Sequence, residues 1–273
     1  MTWARQWANR CLLELGYHDS AWFCTFTYDD DHVPRTYYPD PETGEAITAL
    51  TLQKRDFQLL MKRIRFKFSD DKIRFFMSGE YGSQTFRPHY HAILFGLHLD
   101  DLKPYKTVKE AGEYYTYYNS ESLQECWPYG YVVVGEVTWE SCAYTARYVM
   151  KKLKGKEAKF YEEHNIQPEF TLMSRKPGIA RQYYDDHPDL YEQDKINVST
   201  PKGGKQFRPP RYFDKLFDID CPEKSAELKA LRAKLAQEAQ AAKLANTSLD
   251  SYELMQVQED KLSNRLKSLR RSL

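Results

Sequence analysis

Between Trp3 and Leu15 the apolar residues Trp3, Trp7, Leu12, Leu13 and Leu15 recur among polar ones at helical spacing, and Gly16 follows as a stop. The chain is therefore expected to open on a helix. The period then shortens: Ala21-Trp22-Phe23-Cys24-Thr25-Phe26-Thr27-Tyr28 is rich in aromatic and β-branched residues and ends at Asp29-Asp30-Asp31, which predicts a strand closed by an acidic turn. Pro34, Pro39, Pro41 and Gly44 make the next stretch a loop or loose hairpin. From Leu52 to Phe68 the apolar positions Leu52, Phe57, Leu60, Met61, Ile64 and Phe68 return to helical spacing with basic residues between them, predicting a long amphipathic helix.

Residues 73–80 and 89–95 read as two strands joined by a polar loop with Gly82 and Pro88, most simply a β-hairpin. Gly130 to Val137 is a further strand, followed by a helix carrying Tyr144 and Tyr148. Beyond Gly155 the pattern breaks into short pieces, among them Phe170-Thr171-Leu172-Met173 and the basic turn Ser174-Arg175-Lys176-Pro177-Gly178. From Cys221-Pro222 onward Ala, Leu, Lys and Glu predict one helix to Ala245, a break at Asn246-Thr247-Ser248, and a second helix from Ser251 to the end. Leu228, Leu231 and Leu235 form a seam expected to pack. Strands and helices of this kind predict an α+β fold, a central antiparallel sheet with flanking helices and a C-terminal helical appendage.

With 273 residues and 41% hydrophobic content the chain can bury a substantial core. The expected division is one domain over residues 1–220 and a helical segment over 221–273. A net charge of +1 argues against a uniformly basic DNA-coating protein, while leaving room for a local phosphate-binding face. Five scattered cysteines, odd in number and without a CxxC pair, support neither a disulfide framework nor a zinc ribbon and fit a reducing cytoplasm. No apolar run approaches the roughly 18–20 residues that span a bilayer, and the start Met1-Thr2-Trp3-Ala4-Arg5-Gln6 lacks a signal-peptide core.

The candidate chemistry begins at His89-Tyr90-His91. Two imidazoles separated by one residue share a strand face, and in the expected hairpin Glu80 can lie opposite His89. Two neutral imidazoles and one carboxylate bind a divalent ion and leave positions for phosphate oxygens. Imidazole ligands favour Mn²⁺ in affinity, whereas cellular abundance favours Mg²⁺. Taken alone, an HxH pair serves equally as polar decoration of a solvated face; the run Ala92 to Phe95 instead puts it at the edge of a core, where unpaired polar groups are costly. Tyr144 and Tyr148, four apart, share one face of a helix. They read equally as an aromatic packing stripe in a chain with 21 tyrosines. Lys151 and Lys152 continue the stripe and can stabilise a phenolate or neutralise an attacked phosphate.

Three segments in this order, Trp22 to Tyr28, His89-Tyr90-His91, and Tyr144 to Lys151, resemble the HUH endonucleases, specifically the two-tyrosine class that initiates rolling-circle replication, and most nearly the initiators of Microviridae of the gokushovirus type. Arg5-Gln6-Trp7-Ala8-Asn9-Arg10, Thr27-Tyr28-Asp29-Asp30, Gly79-Glu80-Tyr81-Gly82 and Ser174 to Ile179 add to the match, which spans residues 3–184. Two departures stand out. Many members of that class carry a cysteine-rich segment ahead of the Arg-Gln-Trp-Ala stretch, so this chain is expected to be truncated or to belong to a shorter branch; and Ala180 stands where a glycine is expected.

The resemblance implies an RRM-like HUH fold and a metal-dependent single-strand DNA endonuclease and strand transferase, acting in the cytoplasm of a bacterial host. Tyr144 or Tyr148 would attack the origin, leaving a 5′-phosphotyrosine and a 3′-OH that primes synthesis, with Mg²⁺ or Mn²⁺ held by His89, His91 and Glu80. Lys151, or else Lys152, would be the electrostatic partner. Origin DNA would be gripped by Arg147, Lys151, Lys152, Lys154 and Lys156, with Arg175 and Lys176 in the later turn, and host helicase and DNA polymerase would be partners. Thr25 and Thr27 read as strand residues beside the metal floor, and Asp29 to Asp31 as an acidic turn rather than a second metal site. A transposase or relaxase using the same chemistry, and a non-catalytic RRM-like nucleic-acid-binding module, are the alternatives. A histidine-triad hydrolase is disfavoured because its third alternating histidine would fall at Ile93.

Overall fold

The computed structural model of the chain describes residues 3–82, 84–110, 113–151, 153, 155–193, 195–200 and 203–267, of which 110, 113, 147–151 and 265–267 are described by backbone alone. The chain divides into two compact units, Met1–Pro188 and Asp189–Leu273.

The first unit runs α1 (Trp3–Leu15), β1 (Ala21–Tyr28), a hairpin of β2 (Arg35–Pro39) and β3 (Ala46–Leu50), α2 (Lys54–Lys67), β4 (Arg74–Tyr81), β5 (Pro88–Phe95), β6 (Lys103–Glu110), β7 (Glu113–Asn119), α3 (Glu121–Gln124), β8 (Gly130–Glu136), α4 (Trp139–Lys151), α5 (Lys159–Glu163), β9 (Phe170–Met173) and α6 (Arg181–Asp186). Seven strands form one antiparallel sheet in the order β6-β7-β8-β1-β5-β4-β9. The fold is α+β, as the residue pattern predicts, and β5 with its two histidines lies inside the sheet. The β6–β7 hairpin extends that sheet through a stretch for which the sequence reading assigned nothing.

Helices cover both faces. Phe57, Leu60, Met61 and Ile64 of α2 pack on one face against Phe26, Tyr28, Met77, Tyr90, Ala92 and Leu94. Each such fully buried side chain contributes about 1.5–3 kcal/mol. On the other face α1 (Ala4, Ala8, Cys11) and α4 (Cys142, Ala146) close over Phe76, Ile93 and Phe95. Because both faces are covered, β4 and β5 are buried along nearly their whole lengths, and any polar side chain on them needs a partner.

Helix α1 fixes α4 and the basic turn. Trp139 Nε1 donates to Asn9 Oδ1 at 3.2 Å. Arg10 donates to the Ile179 carbonyl at 2.9 and 3.2 Å, and its guanidinium lies 4.1 Å over the Trp7 ring, which in turn stacks on Phe76. The buried Glu14 carboxylate accepts from Arg74 and from the Ala180 N–H. Ala180 sits at φ +62°, a left-handed conformation that glycine adopts without strain. The glycine expected there from the resemblance thus has a backbone reason.

In the second unit β10 (Ile196–Thr200) pairs with β11 (Gly203–Phe207), followed by α7 (Arg211–Asp220), α8 (Pro222–Ala245) and α9 (Ser251–Lys267). The two long helices begin and break where the sequence places them. The leucine seam does not pack as expected: Leu231 and Leu235 are exposed, and Ser225 is the buried residue of α8. Among the described residues no helix is long and apolar enough to cross a membrane.

Candidate metal centre and tyrosine

The register of β4, β5, β1 and β8 sets the site. Glu80 pairs with His89, His89 with Thr27, and Thr27 with Tyr131; one step along, Ser78 pairs with His91, His91 with Thr25, and Thr25 with Val133. Directly opposed residues share a sheet face, so the carboxylate, both imidazoles and both threonines project from the α4 side. Tyr90, between the histidines, projects the other way. Its hydroxyl meets Tyr28 Oη at 2.8 Å and the Gln53 carbonyl at 2.8 Å, anchoring the strand to the start of α2.

Glu80, His89 and His91 offer three ligand atoms within 4.8 Å of one another. Glu80 Oε1 lies 2.7 Å from His89 Nε2 and 3.0 Å from His91 Nε2. Burial acts to raise the Glu80 pKa, but the hydrogen bonds and charges of His89 and His91 outweigh it and hold the carboxyl at about 2. The group is anionic at neutral pH.

The outer ring nitrogens decide how well the set fits a cation. The Arg87 carbonyl can only accept, so His89 Nδ1 donates to it at 3.0 Å. The Nε2 of a neutral His89 then turns its lone pair toward a carboxylate, an arrangement that is repulsive unless a proton or metal ion stands between them. His91 Nδ1 lies 3.0 Å from Thr25 Oγ1, which orients its ring in the same way. An octahedral ion with bonds of about 2.1 Å spaces neighbouring ligands by roughly 3 Å, close to the separations observed. The three residues can hold a divalent ion; nothing in their geometry distinguishes Mg²⁺ from Mn²⁺.

Tyr144, on α4, brings a phenol to this cluster. Its ring is 5.2 Å from that of His91 at 77°, and 6.1 Å from Phe23 at 83°. Phe23 stacks on His91 at 5.5 Å and 12°. Tyr144 is 39% exposed, so its side chain faces the centre without being sealed off. The other residues singled out on this helix and just after it, Arg147, Tyr148 and Lys151 by their side chains, and Lys152 and Lys154 altogether, lie outside the described residues. Lys156 is exposed on a short 3-10 helix, Gly155–Ala158. Arg175 and Lys176 are exposed on the turn that Arg10, Arg74 and Glu14 tie down.

Sequence reasoning left Thr25 without a role, whereas it is the residue that orients His91. The alternation of Thr25 and Thr27 along β1 was the signal for it. The bonds from Asn9 and Arg10 that seat α4 and the basic turn carry no such local signal, since their partners are 130 and 169 residues away in sequence.

An antiparallel sheet with two histidines and a carboxylate converging under a helix-borne tyrosine defines a class of protein that can hold a divalent ion beside a phenol. The family model for the ORF2-type replication-associated proteins matches residues 21–153, which contain all of these groups. The chain is 31% identical over 273 residues to Replication-associated protein ORF2 of Spiroplasma virus 4, covering 98% of this chain and 81% of that protein. It is 30% identical over 251 residues to Replication-associated protein VP4 of Bdellovibrio phage phiMH2K, covering 88% and 72%. Over 154 residues it is 34% identical to Replication-associated protein ORF4 of Chlamydia phage 1, covering 53% and 34%. No solved structure matches the chain. The chain belongs to the ORF2 family of replication-associated proteins, in agreement with its resemblance to Microviridae initiators.

Proposed function

We propose that the protein nicks and rejoins single-stranded DNA at a phage replication origin, with a tyrosine as nucleophile and a divalent ion as electrophile. The observation that carries this reading is the approach of the Tyr144 ring to 5.2 Å from His91, inside a set of three metal-ligand side chains. The groups it uses all lie within residues 1–220, to which we assign the nicking activity, leaving 221–273 as a helical appendage.

The Tyr144 phenol gives up its proton and its oxygen attacks the scissile phosphorus. The bond from phosphorus to the 3′ oxygen breaks, that oxygen takes up a proton, and a 5′-phosphotyrosine remains. One ester replaces another, so no nucleotide cofactor is consumed. A bound Mg²⁺ or Mn²⁺ supplies Lewis acidity to a phosphate oxygen. Glu80 keeps the cluster anionic, while Thr25 and the Arg87 carbonyl hold both imidazoles with Nε2 inward. A free phenol has a pKa of about 10, so a cation must favour its ionised form; Lys151, or Lys152, is assigned that role.

Tyr148 is assigned the second cut. With one tyrosine esterified, the other cleaves the regenerated origin and the first ester is resolved into a closed circle. The free 3′-OH primes a host polymerase behind a host helicase, in the cytoplasm of the infected cell. Arg147, Lys154, Lys156, Arg175 and Lys176 are assigned to the DNA backbone.

The test is incubation of the protein with end-labelled single-stranded fragments of its genome, in Mn²⁺, Mg²⁺ or EDTA, followed by denaturing electrophoresis. A metal-dependent covalent adduct that disappears in the Tyr144→Phe/Tyr148→Phe variant is expected. Binding of every fragment without any adduct overturns the nuclease reading in favour of a non-catalytic sheet.

A further inference from the structure

Beside the metal centre a cleft of about 380 Å³ opens between β7, β8 and the first turns of α4. His91 and Tyr144 close its inner end, and Tyr117 and Glu140 stand further out. Its floor follows from the register: Phe23 pairs with Gly135, and Gly135 with Tyr117, so three side-by-side positions on the open face read ring, no side chain, ring. A Cβ added at Gly135 would sit 3.4 Å from the Tyr117 ring and 3.8 Å from Phe23. The glycine leaves a shallow slot with aromatic carbon on both sides.

The chemistry of the walls excludes one occupant and fits another. Among the described residues lining the cleft are the carboxylates Glu136 and Glu140, and no lysine or arginine. Such a site repels a phosphate. It suits the flat, uncharged part of a nucleotide, because every base has a π-face that stacks on a tyrosine and a carboxylate accepts from an exocyclic amino group. Glu140 and Tyr144 are one helical turn apart on α4, so a base held against Glu140 lies next to the phosphate that Tyr144 attacks. The register of Trp22 with Glu136 turns Glu136 toward the opposite sheet face, which leaves Glu140 as the reader.

We propose that this cleft takes one unpaired nucleobase adjoining the scissile phosphate, that the base stacks on Tyr117, and that Glu140 selects an amino-bearing base over thymine. This rests on the origin-nicking reading for its substrate class and adds to it a place where sequence is read. Thymine presents two carbonyls around its single N–H and meets the carboxylate with repulsion, whereas cytosine presents an amino group in the same ring.

The test is fluorescence anisotropy with labelled dC16 and dT16 in EDTA, which measures recognition without cleavage. The wild-type protein should bind dC16 more tightly than dT16. Tyr117→Ala should weaken both by about tenfold, the usual loss when a stacking ring is removed, and Tyr117→Leu, which keeps the bulk and the fold, should do the same. Glu140→Gln should abolish the preference for dC16 while leaving dT16 binding intact or improved. Equal binding of the two oligonucleotides by the wild type, or full affinity in Tyr117→Leu, overturns the proposal. The adduct assay in Mn²⁺ is independent: a base preference without any adduct sinks the nuclease reading alone, and an adduct without a base preference sinks the cleft alone.

Discussion

The Tyr144 ring stands edge-on to the His91 imidazole, with 5.2 Å between centroids and 77° between planes. Phe23 completes a triangle by stacking flat on His91 and meeting Tyr144 edge-on. The phenol is therefore placed by packing: Phe23 and His91 belong to adjacent strands, and α4 is seated on α1 through Trp139 and Asn9. A nucleophile held by rings on a rigid sheet loses little freedom when it reaches the reacting phosphate.

Removing only the hydroxyl leaves that packing intact. Tyr144→Phe should melt within a degree or two of the wild type, and it should still nick through Tyr148 but fail to release closed circles. Tyr148→Phe should show the reciprocal defect, and the double variant no covalent adduct at all. The products are separated on denaturing gels; complete circles from either single variant would remove the alternating roles.

Thr25→Val should weaken Mn²⁺ binding, measured by calorimetry, by about 10–100-fold, the usual cost of losing a group that orients a metal-bound histidine. The hydrogen bond to His91 Nδ1 is the only interaction the variant is designed to remove, and valine keeps the strand shape. Unchanged affinity would mean that the Phe23 ring alone fixes His91.

The two exposed cations on the basic turn should act through phosphate. Each contact to a single strand contributes about 0.7 to the slope of log affinity against log salt. Arg175→Ala with Lys176→Ala should therefore flatten the slope by about 1.4 in a titration from low to moderate salt, with little change in base preference. A slope equal to that of the wild type removes this turn from the DNA-binding face.

How much of this was legible beforehand depended on whether signals were local. The α1, β1, α2, β4, β5 and β8 elements are readable because each carries a clear period or a dense run of β-formers, and Glu80 could be set opposite His89 because a short hairpin fixes its own register. The β6–β7 hairpin was not, since Lys103 to Glu110 and Glu113 to Asn119 alternate lysines, threonines and tyrosines with much of both faces toward solvent, and the hydrophobic pattern that marks a strand needs one dry face. The cleft beside Tyr144 was invisible for the same reason, because Tyr117 is half of it. The clamp on the basic turn was hidden by distance along the chain, as Glu14, Arg74 and Ala180 have no sequence relation to one another.

That clamp makes the last prediction. Glu14 is buried and bonded to His18, to the Ala180 N–H and to Arg74. Burial acts to raise its pKa, but those hydrogen bonds and the Arg74 charge outweigh it and hold the carboxyl below its ordinary value. A carboxyl depressed in the folded state binds protons more weakly than in the unfolded chain. Its stabilisation is complete above the ordinary carboxylate pKa and is lost as pH falls through that value toward the lower folded one. Glu14→Gln keeps an acceptor for Ala180 but leaves Arg74 without its charge partner, and breaking a largely buried pair in this way costs roughly 3 kcal/mol. In a unit of this size that is a fall of about 6–12 °C in Tm at pH 7. The gap between wild type and variant should narrow steadily as the melts are repeated below pH 5, because the wild type then loses what the variant never had. A gap that stays constant down to acid would show that Glu14 acts by shape and not by charge.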